Sequence, residues 1–83
     1  MILVRLPDTL RTGVEDVVEV HDPVETVGEL VDALDRLVPG LRDQLDDSVF
    51  NFAVNDEMLL YGARERALRS GDTVEIVPAI SGG

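Results

Sequence analysis

The stretch that decides the fold runs Thr26-Val27-Gly28-Glu29-Leu30-Val31-Asp32-Ala33-Leu34-Asp35-Arg36-Leu37-Val38. Val27, Leu30, Val31, Leu34, Leu37 and Val38 recur at i, i+3, i+4, i+7, i+10 and i+11, which draws one apolar stripe down a helix. Thr26 followed by Glu29 has the spacing of a capping box, with the hydroxyl on one orphan amide and the carboxylate reaching back to another. Asp32 and Arg36, four apart on the wet face, predict a weak supporting ion pair. Pro39-Gly40 stops the helix, and 41–45 predicts a further turn ending near Asp46-Asp47.

Outward from this helix the period changes from 3.6 to 2. ILVRL at 2–6, closed by Pro7-Asp8, reads as a strand. VVEV at 17–20 reads as a second, joined to the first by a loose hairpin through the turn-like Arg11-Thr12-Gly13 and ended by Asp22-Pro23. At 49–54, Phe50, Phe52 and Val54 alternate toward one face. Asn55-Asp56-Glu57 is turn chemistry, 58–61 a brief fourth strand and 63–68 a helical turn. Ser70-Gly71-Asp72 turns the chain again into a last strand at 73–77. There Pro78, with no N–H to give, ends the ladder.

One helix must cover one face of one sheet, because neither buries its apolar side alone. The expectation is an α+β fold of the β-grasp, ubiquitin-like plan. Four or five strands in a mixed sheet pack on one main helix, with the first and last strands side by side. Residues 1–78 form this domain and 79–83 a flexible tail. Strand alternation turns Ile2, Val4, Leu6, Phe50, Phe52, Val54, Val74 and Ile76 toward Leu30, Val31, Leu34 and Leu37 of the helix.

Composition narrows the function. The chain has 83 residues, 45% of them hydrophobic, which suits one small globular domain and not a disordered segment. No apolar run nears the ~20 residues of a membrane span, and the N-terminus lacks the layout of a secretory signal, so the expected location is the cytoplasm. Seven basic against 17 acidic residues give a net charge of −10, which repels nucleic-acid phosphates and anionic membranes. All seven basic residues are arginines. Without lysine, no side chain can accept an isopeptide.

Catalytic machinery is missing from the sequence. There is no cysteine, hence no thiol nucleophile or thiolate metal site, and His21 is the single histidine, too few for a triad or a multi-His zinc site. No serine sits in a Gly-x-Ser-x-Gly elbow, no glycine cluster cradles phosphate, and neither Asp46-Asp47 nor Asp56-Glu57 has calcium-loop spacing. The chain is expected to be no enzyme by itself, to hold no metal and to bind no cofactor of its own.

The unusual feature is the ending Gly82-Gly83, which arises by chance in roughly 0.5% of chains at ordinary glycine usage. Glycine has no Cβ and reaches nearly all backbone angles, so such an end threads a narrow tunnel. Extended, Pro78 to Gly83 spans about 20 Å, enough to enter a partner's active site.

With Val27-Gly28-Glu29-Leu30, Pro39-Gly40-Leu41, Val54-Asn55-Asp56-Glu57, Ser70-Gly71-Asp72 and Val77-Pro78-Ala79-Ile80-Ser81-Gly82-Gly83, the chain resembles the ubiquitin-like sulfur-carrier family, MoaD/ThiS. The resemblance is nearly end to end. It looks closest to the cysteine-pathway thiocarboxylate carriers and the small subunit of molybdopterin synthase. It implies that an E1-like adenylating and sulfurtransferase enzyme uses ATP and magnesium, held on that partner, to adenylate Gly83. A thiocarboxylate then forms and passes its sulfur to a sulfur-accepting synthase. Gly82, Ser81 and Ile80 would carry Gly83 into the partner. Cysteine or molybdopterin cofactor biosynthesis is the implied destination, with thiazole and tRNA acceptors also open. Two alternatives stand beside it: a ubiquitin-like modifier conjugated through Gly83 to target lysines, and an interaction domain with an inert tail.

The sheet face away from the helix is expected to carry Leu3, Ala53 and Val77, continuing into Pro78 and Ile80. Such residues are either scattered exposed apolars, normal on any surface, or a partner site. The expectation is a docking surface of Val77, Pro78, Leu3 and Ala53, with the acidic rim steering approach.

Overall fold

The structure, a computed structural model, describes residues 1–7, 16–47, 50–59 and 61–78. Along the chain come β1 (Ile2–Arg5), β2 (Val17–Val20), α1 (Val27–Leu37), α2 (Leu41–Asp47), β3 (Phe50–Val54), β4 (Glu57–Leu59), a 3-10 turn at Ala63–Glu65, and β5 (Thr73–Pro78). The strands form one mixed sheet in the order β2-β1-β5-β3-β4. β1 and β5 run parallel and every other pair antiparallel. The α+β, β-grasp arrangement is therefore present, with five strands and with first and last strands adjacent.

The core lies between α1 and the facing side of the sheet. Ile2, Val4, Phe52, Val54, Val74 and Ile76 from the strands are buried against Val27, Leu30, Val31 and Leu34. Each such side chain removed from water contributes about 1.5–3 kcal/mol, which offsets the ordering of a short chain. Leu6 lies just past β1 and is also buried, its N–H donating to Asp16 O at 2.8 Å. Phe50 is half-buried against the same cluster.

Leu37 departs from the expected stripe, with 56% of its surface exposed. It is the last residue of α1. At the next residue the chain leaves the helix, so Val38 and then Leu41 fill the core beside Ala33.

The local polar contacts also differ from the sequence expectation. Thr26 Oγ1 accepts from the Glu29 N–H at 3.2 Å as a helix cap should, but Glu29 Oε1 accepts from the N–H of Glu25, one residue before the cap. Thr26 sits in a bridge to Ala67, and the flanking backbone bonds (Val27 N to Arg66 O, Leu68 N to Glu25 O) tie this corner together. Asp32 and Arg36 do not pair with each other. Arg36 reaches Asp22 at 2.7 Å and Asp32 takes Arg42 of α2 at 2.8 Å, because partners from other segments stand nearer than the next helical turn. Asp35 Oδ1 accepts from the N–H groups of Gly40 and Arg42, capping α2 where Gly40 turns at φ 92°.

The fourth strand begins at Glu57, one residue before 58–61, and Tyr61 is not part of it; the helical turn is one 3-10 turn, and β5 includes Pro78, opposite Phe50. The turn-like Arg11-Thr12-Gly13 and the start of the third strand at Val49 lie outside the described residues.

Candidate functional site

Alternation along the strands leaves one face of the sheet free of the helix. Strand register orders it into rows. Val17, Arg5, Glu75, Ala53 and Met58 lie side by side across β2-β1-β5-β3-β4; Glu19, Leu3 and Thr73 form the adjacent row, and Val77 lies opposite Asn51 toward the other end. Leu3 and Val77 are half-buried, as suits an apolar surface open to a partner. Pro78, also half-buried, is not on this face as expected: it pairs with Phe50 and shares the register of the helix-facing Val74 and Ile76, because alternation flips the face one residue after Val77. Ala53 is not part of that exposed surface. It is on the expected face, yet only 6% exposed. Its side chain stops at Cβ, while its neighbours across the sheet, Glu75 and Met58, are long and exposed and overtop it. The result is a hollow of about 270 Å³ lined by Arg5, Ala53, Asn55, Asp56, Thr73 and Glu75. Arg5, Glu75 and Met58 were the residues sequence reasoning passed over on this face. The same alternation that exposed Leu3 would have found them, had charged positions been read with the apolar ones.

The chain leaves this face at the end of β5. Because β1 and β5 are parallel, their C-terminal ends lie together. Leu6 and Pro7 thus border Val77 and Pro78 in a shallow groove of about 120 Å³. Gly83, Gly82, Ser81 and Ile80, the tail positions singled out from sequence, lie outside the described residues.

Two of the sequence motifs meet at the opposite end of the sheet. Asn55 and Asp56 have φ of 50° and 71°, the paired left-handed residues of a two-residue hairpin turn between β3 and β4. The Asn55 side chain then accepts from Thr73 N–H and donates to Asp72 Oδ1, each at 3.0 Å. Asp72 Oδ2 accepts from the Arg69 N–H at 2.8 Å. The amide of Asn55, followed by the backbone of Arg69, holds the Asp72 carboxyl below its ordinary 3.8. The N-terminal ammonium donates to Ser70 Oγ at 2.9 Å, and Gly71 N–H to Met1 O at 2.8 Å. These bonds brace the two turns, the N-terminus and the start of β5 against one another.

The Val27-Gly28-Glu29-Leu30 motif is explained by a close approach. A Cβ on Gly28 would stand 3.2 Å from the carbonyl oxygen of Arg64, so only glycine lets the 3-10 turn lie against α1 without adjustment. His21 is exposed, with Nε2 3.3 Å from Glu19 Oε1. Among the described residues no three His, Cys, Asp or Glu gather as a metal site, and no helix is long and apolar enough to cross a membrane.

Comparison with known proteins agrees with this arrangement. A sequence profile of the ThiS family matches residues 4–83. The structure is similar to CysO from Amycolatopsis orientalis, solved in a BexX/CysO complex, at 33% identity and TM-score 0.83 over 100% of both chains. Mycobacterium tuberculosis CysO is 28% identical at TM-score 0.83, over 96% of this chain and 100% of that one. SAMP1 from Haloferax volcanii is 28% identical at TM-score 0.77, over 99% and 98%. With a sheet open on one face, a groove at the root of the C-terminus and a profile match that runs to the final glycine, the chain belongs to the ThiS family of ubiquitin-like sulfur carriers.

Proposed function

We propose that Gly83 is the reacting end of this chain. Its carboxylate is adenylated by an E1-like partner enzyme and converted to a thiocarboxylate that donates sulfur in biosynthesis, of cysteine or of the molybdopterin cofactor. The observation that carries the reading is a family match extending through Gly82-Gly83 on a β-grasp domain. A terminal carboxylate, with a pKa of about 3.5, is ionised at neutral pH and resists nucleophiles. Attack of its oxygen on the α-phosphorus of ATP releases pyrophosphate and gives an acyl-adenylate. The outer sulfur of a persulfide on the partner side then attacks the carbonyl and displaces AMP, giving an acyl disulfide; a thiol attacks the donor's sulfur, is oxidised to a disulfide with it, and releases the thiocarboxylate. ATP and magnesium belong to the partner, and the chain supplies docking and reach. The five residues past Pro78 extend at most about 18 Å from the end of β5. Leu3 and Val77 are the apolar surface that seats on the enzyme, with Pro78 at the edge where β5 ends, while the tail threads inward, and a sulfur-accepting synthase uses the same tail afterwards. The chain is a co-substrate of other enzymes, acting in the cytoplasm.

Mass spectrometry tests this directly. The chain is incubated with the adenylating enzyme of its own organism, Mg-ATP, a persulfide donor and a thiol reductant, then cut after arginine. The peptide 70–83 contains no methionine and no cysteine. A gain of about 16 Da on it therefore reports sulfur for oxygen and not methionine sulfoxide, which has the same nominal mass. An unchanged peptide, with AMP formation indifferent to the chain, rejects the reading. Conjugates of higher mass on lysines of other proteins, with no gain on 70–83, select the modifier alternative, which starts from the same adenylate.

A further inference from the structure

Many carboxylates of the acidic surface are engaged: Asp22 with Arg36, Asp32 with Arg42, Glu57 with Arg66, Asp35 with backbone amides, Asp72 with Asn55 and Arg69. The carboxylates of Glu25, Asp43, Glu65, Asp56 and Glu75 make no hydrogen bond or ion pair with another described residue, and of these only Asp56 and Glu75 stand together, lining the hollow over Ala53. The floor is the methyl of Ala53, and the hollow holds about 270 Å³.

We propose that this hollow is a socket for one basic side chain, an arginine or a lysine, of the protein that docks on the open sheet face; the inference rests on the carrier reading above and names the chemistry of its docking partner. A slender stem of methylenes suits an apolar floor that broader side chains reach poorly, and long basic residues bury such stems while the charged head stays with polar groups. Glu75 and Asp56 supply two negative charges to that head, and the whole chain, at −10, steers a cationic patch toward it. Arg5, across Glu75 on β1, repels the incoming cation from its own side. The head therefore seats toward Asp56, at the β3–β4 turn. Arg5 is left to meet a carboxylate of the partner, which fixes the orientation of docking.

The test is calorimetric titration of the full chain with the adenylating enzyme of its own organism at low and moderate salt, with adenylation assayed on the same preparations. Three variants are compared: Glu75→Gln, Asp56→Asn and Ala53→Leu. Asparagine accepts the left-handed backbone at position 56, so Asp56→Asn removes charge and leaves the turn. Glu75→Gln and Asp56→Asn should each weaken binding about tenfold and flatten its salt dependence, with unchanged unfolding midpoints. Ala53→Leu, which fills the hollow and keeps every charge, should weaken it about tenfold or more. If Ala53→Leu fails to fold, the two charge variants carry the test. Weakening by Ala53→Leu alone would mean that an apolar side chain enters, and overturns the proposal. Tighter binding by Glu75→Gln would mean an acidic one, and does the same. If all three bind normally and the wild type is adenylated, the socket is unused and the carrier reading stands. If the wild type is neither bound nor adenylated, the carrier reading fails and takes the socket with it.

Discussion

The two ends of the sheet are built for different purposes. At the Asn55–Asp72 end, side-chain and backbone hydrogen bonds join two turns, the N-terminus and the start of β5. At the Phe50–Pro78 end, β5 finishes on a residue with no N–H, beside a shallow groove. Both ends contain motifs that carry the family resemblance, so resemblance alone does not separate architecture from activity. Polar groups that are mutually satisfied hold a fold together. Those left facing solvent, such as Glu75 and Asp56 above Ala53, are available to a partner.

The contrast is broken most severely by truncation. Removing Gly83 should abolish adenylation by the cognate enzyme, measured as chain-dependent AMP release, while the urea unfolding midpoint stays put. Adenylation at the normal rate would remove the reacting end from Gly83.

Damage to the brace should instead lower stability. Asn55→Ala leaves the Thr73 N–H and the Asp72 carboxylate each short of a partner, at a cost of about 1–3 kcal/mol. Denaturant unfolding should show that loss as a lower midpoint. An unchanged midpoint would mean that water replaces the Asn55 amide and that these bonds do not brace the sheet.

Val77→Asp acts at the tail end. It should weaken the complex by about 1–3 kcal/mol, the scale of removing one desolvated apolar side chain near an interface centre. Thermal stability should fall little, since Val77 is only half-buried. A collapsed melting temperature with normal affinity would place Val77 in the core instead.

The brace also sets a pH dependence. Asp72 has its folded pKa depressed, chiefly by Asn55, so its contribution is complete above the unfolded value and is lost as pH falls through the folded one. Asp72→Asn should therefore unfold at lower urea than wild type near neutrality, and the difference should shrink in acid below the ordinary 3.8. A gap constant with pH would deny the carboxylate this role. Smallest of all should be Gly28→Ala. Helix propensity gains up to about 1 kcal/mol, and the Cβ, 3.2 Å from Arg64 O, offsets much of that by forcing a small shift of the 3-10 turn. A net change beyond about 1 kcal/mol in either direction would show that this approach was misjudged.

How much of this was legible in the chain depends on the range of the forces involved. Element order was readable because periodicity and turn chemistry are local. The apolar stripe of 26–38 gave α1, the alternation of Phe50, Phe52 and Val54 gave β3, and Asn55-Asp56 announced a turn that needs two left-handed residues. The face of Ala53 was legible for the same reason, since alternation is a property of the strand.

Its depth was not. Whether Ala53 stands open or lies at the floor of a hollow depends on which strands flank it, and Glu75 comes from 22 positions further along. The partners of Asp32 and Arg36 were likewise chosen by segments that only folding brings near, Arg42 and Asp22, in preference to each other. Leu37 left the core because the chain turns at Val38 and Leu41 takes the space, a decision of packing and not of helical phase. Local steric preference and periodicity determined what each segment is. Excluded volume and the competition among distant segments for the same neighbours decided what each side chain touches, and only the tertiary structure records that result.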